Sequence, residues 1–428
     1  MELATPNKSQ IHAVLANANY VRLFLAQIIG AMGDRIHQMA LLSFIIVITG
    51  SNNTTKHIAD ITFWGILPSA IFGPFALTLV DRWPWKRTML LSTLFRCGLA
   101  VAMPIMLAKW YNIHTAWITA FMLGTFAAVF APCRLAIMPN LVPKHQLLTT
   151  NAISSQVGNI ATVIGVPLGG YLVDMIGRDP CFYMDGILFF GATAFIFLLK
   201  PMSRKEASAA RLPAYARRFA EEFMNGLRYL RRHPDVRLTL LFFGYLSLVS
   251  TFLYVCLFSY SIEVLGLKER GMGQLLGVLG LGMGAGAVLL VLRPWLGDHP
   301  RLPYLGLAGA GLLIWRMSQG GSSHFVAALL FGVGFCGILS LIPNDTYLQH
   351  HVPDQVRGRV FVVRGFFGSV IWLFSLQLVK SAVHHMGLVW VLAWLGLGSV
   401  VMAAIFGFLP APRASAAASP KGEVLTTT

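Results

Sequence analysis

The chain has 428 residues, 56% hydrophobic and 12% charged, with a formal net charge of +16. A typical soluble domain is about 25% charged, so this composition excludes a water-soluble fold. The basic excess does not mark a nucleic-acid partner, because Lys and Arg gather in short loops between apolar runs. A polar segment, 1–18, comes first and lacks the pattern of a cleavable signal peptide. Runs long enough to cross a bilayer follow at 21–49, 58–80, 88–109, 116–139, 148–175 and 181–199. After a basic stretch, six more read 238–264, 272–292, 303–317, 325–347, 359–381 and 388–408, the ninth of the twelve being short. The residues 411–428 are expected to form a disordered cytoplasmic tail.

Loop charges orient the runs. One set of connections carries Lys8, Arg22, Arg82, Lys86, Arg87, Lys144, Arg293, Arg301, Arg357, Arg359, Arg413 and Lys421. The other carries mainly Lys56, Lys109, Arg178, Lys268 and Arg270. The richer set belongs in the cytoplasm, which places both termini there. The stretch 201–236 divides the chain into six-helix bundles at 19–200 and 237–410. Within it Tyr215, Phe219, Phe223, Leu227 and Leu230 keep helical spacing among Arg217, Arg218, Arg228, Arg231 and Arg232. Such a helix either lies on an anionic membrane surface or serves as a passive linker. The halves repeat weakly: Phe121 to Gly124 with Val142-Pro143 recurs as Phe331 to Gly334 with Val352-Pro353, and Gly158 and Gly368 share that register.

The loop after the second run reads Leu77-Thr78-Leu79-Val80-Asp81-Arg82-Trp83-Pro84-Trp85-Lys86-Arg87. It resembles the signature loop of the major facilitator superfamily at Asp81, Arg82 and Lys86, and departs from it at Leu77, Pro84 and Trp85. Other stretches are similar to the drug and siderophore exporters of that superfamily. They are Gly33-Asp34, Pro132-Cys133-Arg134 with Pro139, Gly165-Val166-Pro167-Leu168-Gly169-Gly170, Asp185, Gly226-Leu227-Arg228-Tyr229-Leu230 and Arg357-Gly358-Arg359. The resemblance runs from about Val21 to Phe408. It implies an all-α integral membrane fold of twelve helices in two pseudo-symmetric bundles, with substrate held between them. It further implies a charge latch of Asp81, Arg82, Lys86, Arg87, Arg134, Arg357 and Arg359, in which Asp81 pairs across the halves.

Ionisable residues inside the runs are candidate functional groups, since each costs about 2.5–3.5 kcal/mol or more at the bilayer centre. Asp34 and Arg35 lie near the middle of the first run with His37 close by, and Arg96 lies mid-run in the third as a candidate partner for Asp34. Asp185, Arg364, Arg134 and Asp345 sit nearer the ends, where Arg134 and Asp345 can also snorkel to the surface. Gly280, Gly282, Gly284 and Gly286 suit close helix packing, not a nucleotide loop. His350-His351 and His384-His385 fall at opposite faces and make poor co-ligands, so no metal site is expected. The five cysteines read as inert buried thiols. No hydrolase or nucleotide motif occurs, so no enzyme is expected.

These features point to a secondary transporter that moves a small solute out of the cytoplasm by alternating access, driven by a proton gradient without a cofactor and working as a monomer in the lipid bilayer. The resemblance suggests iron or an iron chelate as substrate and the bacterial inner membrane as location. A magnetosome membrane is a further possibility, since superfamily members there are similar in size and face the same topology. The alternatives are a lysophospholipid flippase or drug efflux pump, and a non-transporting sensor or scaffold.

Overall fold

Two proline- and glycine-punctuated sets of six long helices make up the fold. The computed structural model describes residues 16–49, 54–82, 84–143, 157–200, 212–297 and 299–408, with a few single positions besides. Of the basic loop residues, Lys8, Lys144, Arg413 and Lys421 lie outside the described residues, as do both terminal segments. The first set comprises α1 (Ala18–Thr49), α2 (Thr54–Arg82), α3 (Trp85–Lys109), α4 (Ile113–Leu141), α5 (Val157–Ile176) and α6 (Arg178–Phe197). Then come α7 (Leu212–Arg232), α8 (Pro234–Glu263), α9 (Glu269–Leu292) and the short α10 (Pro294–Gly297). The chain ends with α11 (Leu302–Ser318), α12 (Ser323–His351), α13 (Asp354–Met386) and α14 (Leu388–Phe408). No strand occurs among the described residues.

Local chemistry sets the helix ends. Asn112 caps α4 by accepting from the His114 amide, and Ser322 caps α12 by accepting from the Phe325 amide. Pro234 opens α8, where a missing N–H costs nothing. Gly177 and Gly387 each turn the chain between a half's last two helices with φ of 83°, a backbone region open to glycine almost alone. They keep the register of the internal repeat. So do Gly124 and Gly334: a Cβ on Gly124 would strike the Gly65 carbonyl of α2, and one on Gly334 the Leu279 carbonyl of α9.

Among the described helices nine are long and apolar enough to cross a membrane; taken in alternation, the twelve long helices end α14 at the face where α1 begins, termed here the terminal face. Arg22, Lys86, Arg87, Arg293, Arg301, Arg357 and Arg359 stand at helix ends on that face, and Lys56, Lys109, Arg178, Lys268 and Arg270 on the opposite one. The two sets of six meet through α5 against α9 and α2 against α13 and α8. Small residues bring α5 and α9 together: a Cβ on Gly273 would lie 2.9 Å from the Val166 carbonyl oxygen, and one on Gly277 would strike Pro167. The glycine run of α9 continues the packing, with Gly280 on Val163, Gly282 on the Phe331 backbone and Gly286 on Ile338.

The α7 helix is docked. Gly226 lies against the Arg359 carbonyl, the Phe223 and Phe366 rings meet edge to face at 5.2 Å, and Leu230 is buried with Leu348, Val360 and Val363. Residues 223, 226 and 230 share one helical face and seat it on α13. The side chains of Tyr215, Arg217, Arg218 and Phe219 lie outside those described.

Candidate functional site

The stripe Gly30, Gly33 and His37 runs along one side of α1. A Cβ at Gly33 would stand 2.5 Å from Asp185 Oδ1, and one at Gly30 would stand 3.6 Å from the Phe189 ring. Both glycines therefore admit α6 closely, and Asp185 comes to rest beside α1. There His37 Nδ1 lies 2.9 Å from Asp185 Oδ2. The Phe182 ring covers the imidazole edge on at 5.0 Å. His37 is 5% exposed and Asp185 is fully buried. His37 Nε2 and Asp185 Oδ1 are both buried without a hydrogen-bond partner.

A quarter-turn round the helix, Asp34 pairs with Arg96 of α3. The guanidinium lies 4.2 Å from the Phe189 ring centroid, which fixes its plane. Arg96 is nearly enclosed, whereas the Asp34 side chain is 43% exposed. Asp34 therefore presents the open side of the pair, toward two hollows that share Asp34 and Arg96 in their linings. One, of about 520 Å³, lies between the halves and is lined by Asp34, Arg35, Gln38 and Arg96 with Tyr254, Phe258 and Trp372. The other, of about 300 Å³, continues toward the terminal face past Gln27, Arg134 and Ser154.

Arg35 donates to Gln38 Oε1 at 3.0 Å instead of pairing with Asp34, and Gln38 in turn hydrogen-bonds the Tyr254 hydroxyl across the halves. Gly165 and Gly169 allow the α1 backbone at Arg35 and Ile36 to approach α5, while Pro167 and Gly170 face α9. The exporter-like motif thus serves two seams at once.

Asp185 stands near the start of the sixth run, and packing on Gly33 sets it beside the Asp34 cluster. Arg134 and Asp345 each have a partner within the protein. Arg134 donates to Gln27 Oε1 at 3.3 Å, and Asp345 pairs with Arg364, whose guanidinium stacks 3.8 Å from the Phe243 ring. Among the latch residues, Lys86 and Arg134 contact groups of their own half. Lys86 donates to the Leu199 carbonyl at 2.5 Å, and Arg357 donates to the Val352 carbonyl at 3.1 Å. Arg87 and Arg359 are exposed. The side chains of Asp81 and Arg82 lie outside those described.

A charged bridge between the halves occurs at the opposite face. Lys380 of α13 lies 2.8 Å from Asp60 of α2. Thr55 donates to Ser259 at 2.6 Å beside it. The intramembrane-charge rule that marks Asp34 applies to Asp60 and Lys380 too, yet both stand near run ends, where snorkelling hides the signal. No cluster of three metal-ligating side chains occurs among the described residues. His351 stacks on Tyr347 at 3.8 Å, and His384 meets His385 edge to face at 5.1 Å.

Known proteins share this architecture. The Staphyloferrin A transporter of Staphylococcus aureus is 22% identical, covering 88% of this chain and 93% of its own. Lysophospholipid transporter LplT of Photorhabdus laumondii is 24% identical over 78% and 82%. An auto-inhibited POT family peptide transporter superposes with a TM-score of 0.65 at 14% identity, covering 91% of this chain and 96% of its own. The sequence profile of the Major Facilitator Superfamily matches residues 23–376, and the chain belongs to that superfamily.

Proposed function

We propose that this chain exports a small anionic solute, an iron chelate first among the candidates, by proton-driven alternating access. The terminal face is cytoplasmic in this reading, in a bacterial inner membrane or one derived from it. The observation that carries it is the Asp34–Arg96 pair on the wall of a cavity shared by both halves. With Arg35 alongside, that wall holds two cations against one carboxylate, which favours an anionic cargo. The interhalf contacts named above gather at the face away from the termini, and the hollows lead from the centre toward the terminal face. That arrangement corresponds to a carrier loading from the cytoplasm. The Staphyloferrin A relative agrees with a chelate cargo.

Proteoliposomes with an imposed pH gradient test this. Radiolabelled ferric citrate should accumulate against its gradient, and Asp34→Asn should abolish the accumulation while expression stays intact. Unchanged accumulation in the variant refutes the role of Asp34. A second reading, lysophospholipid movement, draws on the apolar side of the same cavity, formed by Leu41, Leu42, Ile58 and Phe258. Movement of labelled lysolipid without ferric citrate transport would replace the first reading with it.

A further inference from the structure

We propose that the coupling proton sits on the His37–Asp185 pair, while Asp34–Arg96 is left to meet the cargo; this rests on the proton-driven reading above. Three observations carry it. The first is charge balance. Asp34 is taken by Arg96 and Arg35 turns to Gln38, so a neutral imidazole beside an ionised Asp185 leaves that buried carboxylate without a cationic partner of its own. A lone buried charge is costly, and one added proton removes it.

The second is a vacant position. His37 Nδ1 is engaged by Asp185, but Nε2 is buried with no partner, on a side chain that lines the central cavity. An arriving proton has a nitrogen to occupy there, and protonation turns the 2.9 Å contact into a charge-assisted pair. The third is separation. Asp185 is fully buried against Gly33, so cargo that reaches the half-exposed Asp34 does not reach it. The two sites still sense each other. The charged and titratable groups acting on the pair are Asp34 of α1 with Arg96 and Cys97 of α3. Arg35 stands next to them on α1, and α5 faces this stretch with Gly165 and Gly169. Anionic cargo that takes the place of Asp34 on Arg96 changes the charge beside Asp185, and with it the hold on the proton there. Release and loading are thereby linked in one cluster.

The test needs no cargo for its first part. The protein is labelled with 15N-histidine, placed in nanodiscs and titrated over roughly pH 5 to 9 by NMR. One resonance protected from a soluble paramagnetic quencher should change from neutral imidazole to imidazolium. It should vanish in His37→Gln, and its midpoint should move in Asp185→Asn. A His37 that keeps one protonation state throughout overturns the proposal; a merely structural pair would give that result. Should His37→Gln not fold, Asp185→Asn and the protected wild-type resonance decide alone. In proteoliposomes, His37→Gln should abolish gradient-driven ferric citrate accumulation but keep its exchange at equal pH; loss of neither overturns the proposal. If the wild type carries no ferric citrate, the cargo reading fails, while the NMR titration still decides the proton seat.

Discussion

Replacing Lys380 by Met should release the face where the two halves are joined. Asp60 is 7% exposed and its partner nitrogen is 2.8 Å away. At that distance, with an effective dielectric of about 20, the attraction is on the order of 6 kcal/mol. Desolvating both groups offsets much of it, and the Lys380 side chain is still 31% exposed. The net loss on removing one partner is therefore roughly 2–3 kcal/mol, toward the low end for breaking a buried pair. The loss falls on the conformation described here, because opening this face returns Asp60 to water. Lys380→Met should thus shift the equilibrium by roughly 30- to 150-fold toward the state open on that side. Single-molecule fluorescence transfer between dyes on the two halves would report it. The charge-swapped double variant, Asp60→Lys with Lys380→Asp, should restore the wild-type distribution. An unchanged distribution in Lys380→Met would refute the argument, and Lys56, one turn from Asp60, would then be the compensating cation to remove next.

Gly273→Ala should act in the same direction, since its Cβ would sit 2.9 Å from a backbone carbonyl of α5, a contact no rotamer change relieves; about 1–3 kcal/mol of overpacking is expected, read by the same fluorescence shift. Asp34→Ala leaves Arg96 enclosed without its carboxylate, so thermal stability in detergent should fall. Arg96→Met in the same chain should recover part of it, with a coupling of about 0.5–3 kcal/mol in a double-mutant cycle. Gly177→Ala and Gly387→Ala should each cost about 1–3 kcal/mol, because both need φ of 83°, and additive thermal shifts are expected for two turns in separate halves.

What could be read without coordinates was what depends on sequence distance. Span length and the repeated register of Gly124 and Gly334 are periodic or cumulative signals, and the described helices follow them. The pairing of Asp34 with Arg96 was legible for a related reason: both fall mid-run, and two opposite charges at one depth have few other partners. The His37–Asp185 contact was not. It depends on which side of α1 meets α6, and that rotation is set by Gly30 and Gly33, whose role shows only when a Cβ is imagined there. The latch expectation met a different limit. Its central carboxylate, Asp81, lies among the side chains outside those described, and of the other members Lys86 and Arg134 bind groups of their own half.

The composition of the joined face follows from what a carrier must do each cycle. An interface of large apolar side chains would gain stability from every contact and hold one state too firmly. The α5–α9 seam instead uses Gly273, Gly277 and Gly280 against Pro167 and Val163, so the helices touch through backbone and short side chains. In a bilayer such contacts contribute only dispersion, and lipid or the other arrangement of the halves can replace them. The polar contacts beside them, Thr55 with Ser259 and Asp60 with Lys380, exchange protein partners for water once the face opens. Each bond is thus modest in net terms, and the two states can lie within a few kcal/mol of each other. Against so small a gap, one proton at His37–Asp185 or one anion at Arg96 is a sufficient bias, because a 1.4 kcal/mol preference already changes the populations about tenfold.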